Sequence, residues 1–170
     1  MLVDSRGLRN MYEATGQRRI LVVEDEMSIR QVLCFFLKHQ GFEVMAASNG
    51  LDAIRIIPDF QPHLIVLDLI MQPGSGWDVL HWLRANRLLP HIPVLVMSAL
   101  VQLQEQMHGF EEGALEYLTK PTQPSVIVER VRALLALSTE QRTMLQHKRM
   151  DEQRKTLKRL SSFEIDEFAY

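Results

Sequence analysis

Three short aliphatic runs in this sequence each stop abruptly on polar residues: Ile20–Val23 before Glu24, Asp25 and Glu26, Leu64–Leu67 before Asp68, and Val94–Met97 before Ser98. A continuous apolar run of that length suits a strand buried on both faces, and a polar stop suits the carboxyl end of a parallel strand that opens into a cleft. Helical patterns lie between the runs. Ile29, Val32, Leu33, Phe36 and Leu37 recur at three- and four-residue spacing up to Gly41, and Phe42–Ala47 reads as a second strand. Leu51–Ile57 reads as a short helix closed by Pro58, Trp77–Asn86 as a helix, and Leu103–Phe110 as a weaker one. Tyr117 and Leu118 belong to a short fifth strand, followed by a fifth helix over Ser125–Leu137 with Val128, Val131, Leu134 and Leu135 on its inner face. Alternation of this kind predicts an α/β fold, a doubly wound parallel sheet covered by helices on both faces.

The chain has 170 residues, enough for one full hydrophobic core plus an extension. Residues 1–18 read as an N-terminal extension, flexible or partly helical, 19–137 as the domain, and 138–170 as a helical C-terminal extension. The extension, STEQRTMLQHKRMDEQRKTLKRL, lacks Gly and Pro and is rich in helix formers. Its apolar positions, Met144, Leu145, Met150, Leu157 and Leu160, keep no sustained heptad phase, so a coiled coil is not expected. The last residues, with Phe163, Ile165, Phe168 and Tyr170 among acids, read as a docking segment or a mobile end.

A formal net charge of −2 removes the strongest argument for nucleic acid or an acidic membrane surface as the main partner. A single cysteine, Cys34, sits in an apolar run and reads as a core residue of a protein from a reducing compartment. Residues 1–19 contain no continuous apolar stretch, so neither a signal peptide nor a membrane span is expected, and the expected location is the cytoplasm. The six histidines show no metal-ligand spacing.

The chemistry-bearing residues stand where the strands stop: Glu24 and Asp25 after the first, Asp68 after the third, Ser98 after the fourth, Lys120 after the fifth. In an open α/β sheet these positions face the ligand crevice. Three carboxylates drawn together repel one another and favour a cation, and an all-oxygen set with few protein ligands suits Mg²⁺. A hydroxyl and an ammonium beside such a metal hold phosphoryl oxygens, while an aspartate in line attacks phosphorus. Taken singly, each residue has an ordinary structural reading: a helix cap for Glu24 and Asp25, a turn hydroxyl for Ser98, a sheet aromatic for Tyr117, a surface lysine for Lys120.

The strings ILVVEDE, LIVLDLIM, PVLVMSA and FEEGALEYLTKP, in that order, resemble the response-regulator receiver family of two-component signalling over Arg19 to Leu137. The resemblance implies a flavodoxin-like (βα)5 fold with strand order 2-1-3-4-5. It further implies that Asp68 is the phosphoacceptor, Asp25 a direct Mg²⁺ ligand, Glu24 a ligand through water, and the backbone carbonyl of Ile70 the remaining protein ligand. Ser98 and Lys120 would each hold a phosphoryl oxygen, and Lys120 would pair with Asp68 before phosphorylation. Lys120–Pro121 resembles the family's cis peptide, which would aim the ammonium into the crevice. Tyr117 matches the switch aromatic whose ring turns inward when the hydroxyl residue moves toward the phosphoryl group.

Two departures stand out. Gln72 stands where the family usually has proline, with Pro73 next, although Gly76 is in its expected place. The two positions that tune phosphoryl lifetime are Ile70 and Leu100, both apolar, which implies slow loss of the group. Leu100, Val101 and Leu103 either pack under the fourth helix or form an exposed patch for a partner or a second copy.

The expected function is therefore a phosphorylation-dependent switch, not a conventional enzyme, loaded by a histidine kinase or phosphotransfer protein and signalling to an unknown output protein. Pairing with a second copy on phosphorylation is an alternative outcome. A phosphatase of the haloacid-dehalogenase type needs a second aspartate where Ile70 stands, and a dinucleotide site needs a glycine-rich loop after the first strand. A DNA-associated regulator would use the basic stretch from Lys148 to Arg159; too little chain follows Leu137 for a winged helix, and DNA is not the expected partner.

Overall fold

A computed structural model describes residues 16–166, with side chains described as far as residue 160. The readings made for residues 1–15 and for the final aromatic segment with Phe163, Ile165, Phe168 and Tyr170 lie outside that description. Five strands run as β1 (Arg19–Val23), β2 (Glu43–Ala47), β3 (Leu64–Leu67), β4 (Val94–Ser98) and β5 (Glu116–Thr119). The helices among the described residues are α1 (Met27–His39), α2 (Gly50–Phe60), α3 (Gly76–Ala85), α4 (Leu103–Glu111), α5 (Pro124–Ala136) and α6 (Thr139–Asp166). All strand pairs are parallel, in the order β2-β1-β3-β4-β5, which is the flavodoxin-like arrangement.

The period-two alternation of strands splits the core into two layers. Leu21, Val23, Ile65, Leu67, Val94 and Val96 meet Ala53, Ile57, Val79, Leu80, Leu83 and Phe110 from α2, α3 and α4. Ile20, Val22, Leu64, Val66, Leu95 and Met97 meet Leu33, Leu37, Ile127, Val131 and Leu134 from α1 and α5. Strands buried on both faces explain why the runs read as continuous rather than alternating.

One element reading needs correction. Helix α2 continues through Pro58 to Phe60 and ends at Gln61, whose left-handed backbone (φ 49) terminates it. Ile57 and Phe60 are both buried in the same layer, and that burial holds the last turn helical despite the donor that proline lacks. On α1 only Leu33 and Leu37 are buried, while Val32 and Phe36 stand exposed. They are one residue back from the buried pair, about 100° around the helix, and so lie off the face that meets the sheet. Cys34 is half-buried against the α1/α5 layer rather than inside it.

Register brings the polar strand ends together. Val23 pairs with Leu67, Leu67 with Val96, and Ser98 with Thr119, so the residues that follow share one edge of the sheet. Helix α3 is fixed there by a capping box: Ser75 Oγ accepts the Asp78 N–H, and the Asp78 carboxylate accepts the Ser75 N–H at 2.7 Å. Gly76 sits where the loop passes behind Asp68, so close that any Cβ would fall 2.1 Å from the Asp68 carbonyl oxygen.

Helix α6, 28 residues long, packs on α4 and reaches β5 through the Arg149–Glu116 pair. Leu137, just before it, and Leu145 pack on the α1/α5 layer, whereas Met150 packs on the opposite layer. No described helix is long and apolar enough to cross a membrane.

Candidate functional site

Glu24, Asp25 and Asp68 each offer a carboxylate oxygen, and these atoms all lie within 4.8 Å of one another. Glu24 and Asp68 are buried, whereas Asp25 is exposed at the rim. The Lys120 ammonium reaches in from the far side, donating to Glu24 Oε2 at 2.7 Å and to Asp68 Oδ2 at 2.8 Å. The second Asp68 oxygen, Oδ1, accepts the Ile70 N–H at 3.1 Å.

These contacts set the charges. Burial raises the pKa of Glu24 above the ordinary carboxylate value, with the nearby Asp68 charge adding to it, and the Lys120 ammonium opposes that rise. Burial alone would lower Lys120, but its hydrogen bonds to Asp68 and Glu24 and their charges together raise it, so the group is a cation at neutral pH. The pocket thus presents three carboxylates around one ammonium. The excess negative charge and all-oxygen donors fit a hard divalent ion such as Mg²⁺, and neither histidine nor cysteine belongs to the cluster.

Ser98 ends β4 fully buried, and its Oγ accepts the Leu100 N–H at 3.3 Å rather than bonding a carboxylate. Tyr117 is buried with its ring turned inward, and its hydroxyl donates to the Leu100 carbonyl at 3.0 Å. Burial pushes the phenol above its ordinary pKa. Lys120–Pro121 is cis, as are Gln72–Pro73 and Leu89–Pro90. Ile70 is more than half exposed beside the pocket, and Leu100 is half-buried against the α2–α4 layer. Of the apolar residues after Ser98, Val101 is exposed and Leu103 is half-buried.

One contributor was missed. Arg30 Nη1 donates to the Glu24 carbonyl at 2.7 Å and to the Asp25 carbonyl at 2.9 Å, tying the acidic loop to the first turn of α1. In the sequence it is one more cation on an amphipathic helix, and only the path of the loop gives it this work.

The basic stretch also turns out differently. Arg149 Nη2 donates to both oxygens of Glu116, Arg154 faces Glu111 at 3.8 Å, and Lys148 lies 3.9 Å from Glu152. Three of the basic residues in that stretch, Arg149 most closely, therefore face the protein's own acids.

Comparison with known proteins places this geometry. The model of the response regulator receiver domain family matches residues 20–132. The phosphate regulon transcriptional regulatory protein PhoB of Escherichia coli (strain K12) is 36% identical over 118 residues, covering 69% of this chain and 52% of that protein. The DNA-binding dual master transcriptional regulator RpaA of Synechocystis is 38% identical over 117 residues, covering 69% and 48%. The chain thus spans about half the length of the curated relatives it matches. Among solved structures, the Francisella response regulator 1452 receiver domain superposes with a TM-score of 0.66 at 28% identity, covering 70% of this chain and 97% of that one. Relatives named as transcriptional and DNA-binding regulators lend no support to the expectation that DNA is not a partner.

Proposed function

Since the chain belongs to the response regulator receiver domain family, we propose that it is a two-component or phosphorelay switch that accepts a phosphoryl group on Asp68 from a histidine kinase or phosphotransfer protein. The observation that carries this reading is the Lys120 ammonium held between Asp68 and Glu24 beside Asp25. An Asp68 oxygen forms a bond to phosphorus as the bond from phosphorus to the donor's imidazole nitrogen breaks. Mg²⁺, held by Asp25, Asp68 and the Ile70 carbonyl with Glu24 acting through water, would neutralise charge on the transferred oxygens. Lys120 exchanges its carboxylate partner for a phosphoryl oxygen, and Ser98 Oγ leaves the Leu100 N–H for another. Tyr117 follows the Ser98–Leu100 segment, to whose carbonyl it is already bonded. Apolar Ile70 and Leu100 offer no hydrogen bond to an attacking water, which favours a long-lived acyl phosphate. Output then goes through contact with another protein, in the cytoplasm where such kinases act.

Incubation with acetyl phosphate and Mg²⁺ should add one phosphoryl group by intact mass, removable by hydroxylamine and absent from Asp68→Asn. Modification that survives in Asp68→Asn would defeat the reading. A second reading, regulation of transcription, is supported by the names of the relatives. Retention of duplex DNA that depends on phosphorylation and survives moderate salt would favour it.

A further inference from the structure

Helix α6 grips α4, whose Gly109 lies against Tyr117, and β5, which carries Tyr117. Gln146 Nε2 donates to the Phe110 carbonyl of α4 at 3.0 Å, and Arg149 Nη2 binds Glu116, the first residue of β5, at 3.1 and 2.8 Å. Arg142 Nη1 donates to the His91 carbonyl at 2.8 Å, ahead of β4. Tyr117 follows Glu116 directly, and its ring lies against Gly109, where an added Cβ would approach it to 3.3 Å. Its hydroxyl binds the Leu100 carbonyl, and the Leu100 N–H binds Ser98 Oγ. A continuous line of contacts therefore runs from Ser98, at the pocket, to Arg149 on α6.

The hold of α6 leaves some buried polar atoms unpaired. Of the three buried side-chain atoms without a partner among the described residues, two belong to this helix: Arg149 Nε and Gln153 Oε1. Its apolar hold comes from Leu145 on one layer and Met150 on the other, while Met144 and Leu160 stand exposed. A helix that joins the core through two apolar side chains and a few polar contacts, with buried groups left unpaired, belongs to the more weakly held part of a structure.

We propose that α6 is a releasable strap, held across α4 and β5 while Ser98 Oγ accepts the Leu100 N–H, and let go when Ser98 turns to a phosphoryl group on Asp68. While attached, it covers α4 and the start of β5 and closes that face to other proteins. The inference rests on Asp68 being the phosphoacceptor. Because coupling is reciprocal, weakening the strap must favour loading of Asp68.

The test is hydrogen exchange on the full chain with Mg²⁺ and acetyl phosphate, with loading read by intact mass in the same samples. Amides across residues 142–154 should exchange at least about tenfold faster in the loaded protein, with β1 unchanged. Asp68→Asn should show no response. Tyr117→Phe, which keeps the ring but drops its bond to Leu100, should still take up the phosphoryl group, at least as fully as wild type, and leave α6 insensitive to it. Gln146→Ala should raise the loaded fraction at fixed donor by up to about fivefold, the equivalent of one hydrogen bond. Full loading with α6 exchange unchanged or slowed overturns the strap and leaves the phosphoacceptor reading intact. Failure to load, seen directly in the mass, overturns both.

Discussion

Replacing Gly76 by alanine tests how tightly the fold and the pocket are joined. The new Cβ would fall 2.1 Å from the Asp68 carbonyl oxygen and 2.7 Å from Leu69 Cα, against about 3.5 Å or more for a comfortable contact. Both are backbone atoms, and the Gly76 N–H is itself bonded to the Leu69 carbonyl at 3.0 Å, so no flexible side chain can swing aside. The loop must move by about 1 Å or more, at the upper end of the cost of overpacking, about 3 kcal/mol. The lower chain entropy of unfolded alanine offsets up to about 1 kcal/mol of this, leaving roughly 2–3 kcal/mol. For a chain of this size that lowers Tm by about 5–10 °C. The displaced carbonyl carries the Asp68 backbone with it, so phosphoryl uptake should fall by about tenfold or more at a temperature where both proteins are folded. Gly41→Ala is the control: nothing lies within 4 Å of its Cβ, although its φ of +87° makes any side chain strained. It should cost about 1 kcal/mol and leave uptake unchanged. The packing argument is refuted if Gly76→Ala melts within about 2 °C of wild type and loads at the wild-type rate.

Other outcomes follow from single contacts. Lys120→Met removes the cation that competes for Glu24 and Asp68, so calorimetry should show Mg²⁺ bound about five- to tenfold more tightly; weaker binding would contradict the competition. Ser75→Ala breaks the α3 capping box and should lower stability by about 1 kcal/mol in urea, with phosphoryl uptake as a second readout. His63 Nδ1 accepts the Arg19 N–H at 2.9 Å, and burial, with Arg19 and Arg18 nearby, lowers its pKa below the ordinary 6.5. The unfolded chain therefore binds this proton more readily, so the stability is complete above pH 6.5 and is lost as pH falls through the folded value. His63→Asn should flatten that part of the pH profile, and an unaltered slope would assign it elsewhere. Ile70→Asn combined with Leu100→Glu should shorten the life of the acyl phosphate, and a decay rate equal to wild type would remove the two apolar residues from that role.

The layering of the sheet was legible because burial on both faces leaves a direct mark: Ile20–Val23, Leu64–Leu67 and Val94–Met97 can hardly be anything but central strands. Their polar stops pointed to a common crevice on the same grounds. Pro58 misled because a proline donor is missing wherever it stands, whereas the burial of Phe60 that keeps the helix going depends on a surface made by other segments. The spacing of Val32, Leu33, Phe36 and Leu37 marked a helix without saying which of two adjoining stripes meets the sheet, and Leu33 and Leu37 are the pair that does.

By itself the sequence determined the periodicities, and hence the elements, the parallel sheet and the residues standing at strand ends, since each of these is encoded within a few neighbouring positions. Only tertiary structure decided that Lys120 bridges Glu24 and Asp68, that Arg30 ties the acidic loop, that Tyr117 lies inward on Leu100, and that α6 turns its arginines onto Glu116 and Glu111. These contacts join residues far apart in the chain. Their partners are set by strand register and helix packing, which local composition does not specify.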